Sequence, residues 1–284
     1  MTENLRLVLP QWPGGMNANY QMGAKILEAL VPESSQTETL HIPVDQTAVT
    51  DNDRIDGETS LLRQMQTTAD TLRIKQPQRV ITLGGDCSIS EAPFDYLHGK
   101  YPDDLGIIWL DAHPDASDPD TSHHIHEMVV ANLMQKGAAK FNQQVRHPFT
   151  PKQVLFAGLQ TQALRPMDHL VSDLQMAVLT PADLATTSDR LLAWFTAAGI
   201  KHVALHLDLD VLDPDDFRSV LPAEPGLDRQ KFGAAIGSMK LATVSRVLQD
   251  VSAHAELVGL SIAEHMPWDA INLHNELQKL AIFK

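Results

Sequence analysis

The chain has 284 residues, 43% of them hydrophobic, and a formal net charge of −14. That apolar content supplies a sizeable core, while the acidic balance repels phosphate backbones and argues against a nucleic-acid partner. The single cysteine, Cys87, excludes an internal disulfide framework, and no run approaches the ~20 apolar residues that span a bilayer.

Met1-Thr2-Glu3-Asn4-Leu5-Arg6 carries no basic leader ahead of an apolar run, and Pro10 and Pro13 interrupt the chain soon after. This is the pattern of a cytoplasmic protein, not of one bearing a signal peptide. In chain order, Leu5–Leu9 reads as a strand and Tyr20–Leu30 as a helix with Met22, Ile26, Leu27 and Leu30 apolar. Leu40–Val44 is a second strand, and Ile55–Ile74 a helix with Leu61, Leu62, Met65, Ala69 and Leu72 on one stripe. Val80–Leu83 is a strand running into Gly84-Gly85-Asp86-Cys87. Leu105–Leu110 is apolar throughout, as suits a strand buried on both faces of a parallel sheet.

Val129–Lys136 reads as a short helix and Val154–Ala157 as a strand. Pro181 marks a helix start, continued by Leu184–Ala198 to a Gly199 cap. Val203–Leu207 is a strand, Arg229–Met239 a helix, Leu257–Ile262 a strand and Ala270–Leu280 a closing helix. This alternation predicts an α/β fold with a mostly parallel central sheet. With no repeat, low-complexity tract or linker-like shift in composition, one domain over residues 1–284 is expected.

Two strands end alike. Leu105–Leu110 leads into Asp111-Ala112-His113-Pro114-Asp115, and Val203–Leu207 into Asp208-Leu209-Asp210-Val211-Leu212-Asp213-Pro214. Residues two apart in extended chain share a face, so Asp111 can converge with His113, and Asp208 with Asp210. Strand carboxyl ends are where open parallel sheets gather ligands. A lone Asp-x-His is ordinarily a turn former; two such clusters after two buried strands argue for metal. Their carboxylates repel one another in a partly dehydrated site, and two divalent cations would offset four charges. Oxygen-rich ligands with an imidazole suit Mn²⁺, with Zn²⁺, Fe²⁺ and Co²⁺ as alternatives. Two such ions sharing a water would lower its pKa and give a hydroxide nucleophile.

These segments resemble the motifs Asp-Ala-His-x-Asp and Asp-x-Asp-x-x-Asp-Pro of the arginase, agmatinase and formimidoylglutamase family. Gly84-Gly85-Asp86-Cys87-Ser88 is similar to its Gly-Gly-Asp-His-Ser motif, and the likeness runs from about Val80 to Pro267. The resemblance implies a three-layer arginase/deacetylase-like fold and a binuclear Mn²⁺ site. Asp111 and Asp208 would bridge the ions, Asp115 and the residue at Cys87 would complete the first site, and His113 and Asp210 the second. Asp213 would cap the turn before Pro214.

It also implies a hydrolase acting on the C–N bond of a linear amidine or guanidine, with metal-bound hydroxide as nucleophile and urea or a related amide released. His126, within Thr121-Ser122-His123-His124-Ile125-His126-Glu127-Met128, matches the family's proton-shuttling histidine, with Glu127 in place of a glycine. His123 and His124 read as an exposed loop. Asp210 would orient the nucleophile. Glu264, in Ser261-Ile262-Ala263-Glu264-His265-Met266-Pro267, would pair bidentately with a guanidinium. The partners implied are a small cationic guanidino or amidino substrate and further copies of the chain in a homo-oligomer. The acidic loop Ser117-Asp118-Pro119-Asp120 favours a substrate without a carboxylate.

Cys87 stands where the family has histidine. A thiolate adds a fifth negative charge, opposes hydroxide formation and favours a softer ion such as Zn²⁺. The first ion could then bind weakly, be a different metal or be absent. Two alternatives stand beside the ureohydrolase: a non-catalytic relative with a binding role, and a mono-zinc amide hydrolase of the histone-deacetylase type. Gly84-Gly85 lacks the spacing of a Rossmann fingerprint or a P-loop.

Overall fold

The computed structural model describes residues 3–45, 54–279 and 282. The first half contains β1 (Asn4–Leu9), α1 (Tyr20–Leu30), β2 (Thr37–His41), α2 (Glu58–Lys75), β3 (Arg79–Gly84), α3 (Glu91–Lys100), β4 (Leu105–Leu110), α4 (Val129–Leu133) and α5 (Ala139–Asn142). The second half contains β5 (Val154–Ala157), α6 (Leu170–Asp173), β6 (Ala177–Leu179), α7 (Asp189–Ala198), β7 (His202–Asp208), α8 (Leu241–His254), β8 (Glu256–Ala263) and α9 (Trp268–Leu277). The strands form one sheet in the order β2-β1-β3-β8-β7-β4-β5-β6, with every pairing parallel.

The apolar run of β4 explains the layering. Ile107 and Trp109 enter one hydrophobic core, while Ile108 and Leu110 enter the core on the opposite face. A strand that feeds two cores can have no polar face, which is why it reads as a continuous apolar run. On β7 the alternation differs. Val203, Leu205 and Leu207 join the second core, leaving Ala204, His206 and Asp208 on the other face. Among the described residues, no helix is long and apolar enough to cross a membrane.

Several element boundaries move, and one helix is overturned. The helix expected over Arg229–Met239 is a single 3-10 turn at Arg229–Lys231 followed by irregular chain. A Cβ on Gly237 would lie 2.0 Å from the Asp210 carbonyl oxygen, so this segment packs backbone to backbone against the turn after β7. Its end bridges Leu212 to Met239. The helix forms instead as α8, whose Val244, Val247 and Val251 are buried at helical spacing. The turn between Thr180 and Asp183, closed by the Asp183 carboxylate on the Thr180 N–H, displaces the helix start expected at Pro181. α7 begins only at Asp189, but ends at Gly199 in the left-handed conformation as expected. β2 lies three residues earlier than Leu40–Val44, α4 stops at Leu133, and α9 spans Trp268–Leu277; Leu280 lies outside the described residues.

Helix α3 begins on a buried carboxyl. Glu91 accepts from the Asn132 side-chain amide at 3.1 Å, and its other oxygen has no partner. Burial pushes Glu91 up to about 8, against that hydrogen bond. The folded protein therefore keeps a proton that the unfolded chain releases near an ordinary glutamate pKa. The stability this adds is complete below that pKa and lost as pH rises through about 8. Glu91→Gln keeps the shape but cannot ionise. Its stability, followed by thermal melting, should gain on wild type between pH 5 and 8 by on the order of 1 kcal/mol per pH unit. A difference independent of pH would contradict this assignment.

Candidate metal centre

The candidate residues stand at the carboxyl ends of the four neighbouring strands β3, β8, β7 and β4. Asp111 follows β4, Asp208 ends β7, Glu264 follows β8, and Asp86-Cys87 follow β3. After β3 the chain crosses the end of β1 so closely that a Cβ on Gly85 would lie 1.5 Å from the Gln11 carbonyl oxygen. The Gly-Gly pair is thus a backbone crossing. It lets the Gly85 carbonyl accept the Glu264 N–H at 2.7 Å. Asp86, fully buried, accepts from the Ser88 N–H and the Gly14 N–H, both at 3.0 Å, which fixes Cys87 and the loop above it.

The turn-forming and cluster-forming roles of the aspartates coexist. One oxygen of Asp111 accepts the His113 N–H at 2.7 Å, and the other accepts the Trp109 indole N–H at 3.0 Å. One oxygen of Asp208 caps the Asp210 N–H at 2.7 Å, while the other lies 2.9 Å from Cys87 Sγ. His113 Nδ1 sits 3.2 Å from Asp210 Oδ2 and 3.5 Å from Asp111 Oδ1. Among the described residues, three groups each gather their ligand atoms within 4.8 Å: Cys87, Asp111, His206 and Asp208; Asp111, His113 and Asp210; and Asp208, Asp210 and Glu264. Asp115 borders the same cavity but belongs to none of these groups. Asp213 caps the Asp215 N–H at 2.9 Å, the turn role expected for it.

Burial and mutual repulsion shape the charges. Burial pushes Asp111 up to about 6, with Asp210 adding to the rise. Asp115, Asp208 and Glu264 are raised well above the carboxylate range by burial first and neighbouring carboxylates second. Burial opposes ionisation of Asp210 too, but the His113 imidazole outweighs it and holds that carboxyl low. Cys87 is kept a thiol by burial and by Asp208 and Glu264. Burial pushes His206 down to about 3.

His113 Nε2, Asp115 Oδ2, His206 Nε2 and Asp210 Oδ1 are buried without a hydrogen-bond partner among the described residues. Crowded carboxyls forced to hold protons and donor atoms lacking partners are what divalent cations would relieve. The residues fit a metal. Asp115 and Glu264 have left-handed backbones, φ 45° and 60°, a conformation costing about 1–2 kcal/mol in non-glycine residues and concentrated at functional sites.

The cluster opens into a cavity of ≈ 330 Å³ bordered by His126, Glu127, Arg165, Tyr20 and Phe232 as well. His126 Nδ1 donates to the Gly14 carbonyl at 2.8 Å, leaving Nε2 as the free ring nitrogen. Tyr20 lies beside Glu264 and opposes the rise of its pKa. Glu127 pairs with Arg165 at 2.8 Å. His123 is exposed as expected, but His124 borders the cavity and meets His126 edge-on at 5.8 Å. Asp118 and Asp120 are not among the lining residues; Asp118 lies 3.3 Å from His169.

His206, Tyr20 and Arg165 were not evident from the sequence. Only His206 left a usable signal there, since it stands two residues before Asp208 on the same strand face.

A family model described as the arginase family matches residues 20–267. The arginase of Staphylococcus aureus is 25% identical over 142 residues, 47% of this chain and 46% of that protein, so the match spans about half the relative's length. The arginase of Entamoeba histolytica is 24% identical over 195 residues, 64% of this chain and 66% of that one. Among solved structures, Entamoeba histolytica arginase in complex with L-ornithine aligns with a TM-score of 0.77 at 19% identity, covering 94% of this chain and 92% of that one. Formimidoylglutamase from Bacillus subtilis aligns at 0.66 and 14% identity, covering 93% and 79%. At these identities the structural likeness is one of fold.

Proposed function

The chain belongs to the arginase family, and from that premise we propose that it is a metal-dependent hydrolase of a small linear guanidine or amidine, releasing urea or the corresponding amide. One observation carries this reading: the buried carboxylate–imidazole cluster with partnerless donor atoms, opening on a cavity that also holds His126 and Glu264. Asp111, Asp208, His113 and Asp210, with Cys87 and Asp115 beside them, would hold the cations. When bound, divalent cations supply the positive charge that lets a water ionise near neutral pH and that stabilises the charge developing on the substrate.

The chain's own residues supply the rest. Glu264, fixed by its N–H bond to the Gly85 carbonyl and by its left-handed backbone, pairs with the cationic guanidinium or amidinium group. Asp210 offers its partnerless Oδ1 to the attacking water. As the water oxygen adds to the central carbon, His126 Nε2 takes the water's proton; the C–N bond to the side-chain nitrogen then breaks and His126 delivers that proton to the departing amine. Arg165 borders the cavity with its charge already offset by Glu127 at 2.8 Å, so substrates with and without a carboxylate are both to be tried.

The test is a panel of guanidino and amidino compounds, with and without a carboxylate, offered to protein loaded in turn with Mn²⁺, Zn²⁺, Co²⁺ and Fe²⁺. Urea or amide release from at least one compound, abolished by chelation, is expected. Absence of turnover with every metal would contradict the proposal.

A further inference from the structure

We propose that His206 is a direct ligand of the first cation, completing with Cys87, Asp111 and Asp208 a mixed sulfur, nitrogen and oxygen site for a borderline-soft ion such as Zn²⁺ or Co²⁺. This rests on the reading of the cluster as a metal centre. The ligand atoms of these four residues lie within 4.8 Å of one another, and bonds of ~2.0–2.3 Å to a tetrahedral ion would draw them in to about 3.3–3.8 Å.

His206 is fully buried on β7, and its Nε2 has no hydrogen-bond partner. That atom is 4.0 Å from Asp111 Oδ2. The rest of the ring is fixed as a ligand's ring would be. Nδ1 lies 2.8 Å from Ser90 Oγ and 3.2 Å from Ser261 Oγ, and the imidazole stacks on Trp109 at 3.7 Å between centroids. Outer hydroxyls that hold one imidazole nitrogen leave the other free for a metal. A core histidine with no such task would leave a buried ring nitrogen unsatisfied, which is costly.

Charge points the same way. Cys87 as thiolate, with Asp111 and Asp208, already exceeds the charge of one divalent ion, so a fourth donor is better neutral than anionic. An imidazole binds as a neutral donor, whereas Asp115 would bind as an anion, and Asp115 lies outside the compact group. A thiolate and an imidazole together shift preference away from Mn²⁺.

The test uses the full chain titrated with Co²⁺ and Zn²⁺, monitored by equilibrium dialysis, near-ultraviolet thiolate-to-cobalt absorption and X-ray absorption. In His113→Asn, which removes the imidazole of the second site, the first equivalent should retain one sulfur at about 2.3 Å and one imidazole. His206→Ala should weaken the first equivalent by more than the ~10–100-fold typical of losing an outer-shell partner and alter the thiolate band, while the second equivalent is kept. Sulfur without imidazole in His113→Asn overturns the proposal, and that arm stands even if His206→Ala fails to fold. Unchanged first-site affinity in His206→Ala also overturns it. Wild-type protein that binds no cation would overturn the metal-centre reading itself, and this proposal with it.

Discussion

Asparagine in place of Asp208 will cost the protein its cations and its turnover together. Asp208 belongs to two of the three compact donor groups, caps the Asp210 N–H and accepts from Cys87. The amide preserves shape and removes the charge. Electrostatic stabilisation by a metal is worth several kcal/mol, so turnover should fall by about 10³-fold or more, and elemental analysis should show metal content cut by at least half. The metal-free variant should be no less stable than metal-free wild type, because burial and neighbouring carboxylates already press Asp208 toward its neutral form. That second readout separates loss of metal from loss of fold. Full metal content with normal turnover would remove Asp208 from the centre.

His126→Asn should act on turnover alone. The ring is fixed by its Nδ1 bond to the Gly14 carbonyl, itself held by the loop that Asp86 anchors. Burial, against the pull of Glu127, lowers the pKa of His126 below the ordinary value, so the ring is neutral at pH 7 with Nε2 open to accept a proton. Losing a positioned acid–base group typically costs 10²–10⁴-fold. The expected result is a fall in turnover within that range, unchanged metal content, partial rescue by added imidazole and loss of the corresponding limb of the pH–rate profile. Loss of metal together with activity would instead make His126 part of the binding cluster.

Much of the fold was legible because burial leaves marks on composition. β4 and β7 stand out as strands flanked by chemistry, and α1 and β5 fall where the pattern places them. The misses have physical reasons. Arg229–Met239 carries apolar residues, but at Gly237 its backbone must touch that of Asp210, a tertiary demand no periodicity records. α8 carries the apolar stripe Val244, Val247 and Val251 and was readable. β6 is three residues long and lies at the sheet edge, too short to show a pattern.

At the site, the two aspartate clusters and Cys87 were visible from spacing and resemblance, and the structure brings Asp111, His113, Asp208, Asp210 and Cys87 together. The placing of Tyr20 with Glu264 on one cavity and the Arg165 pair with Glu127 join residues far apart in sequence, so only the fold reveals them. The acidic loop at Asp118 and Asp120 pointed to a carboxylate-free substrate, but neither residue is among those lining the cavity.

The most direct test is anomalous X-ray scattering from crystals grown with Zn²⁺ or Mn²⁺, recorded at each metal's absorption edge. Two peaks are predicted flanking the Asp111 and Asp208 carboxylates, one beside Cys87 and His206 and the other beside His113 and Asp210. Crystals grown at saturating metal that show no peak between these side chains would contradict the metal centre, and with it the proposed hydrolysis.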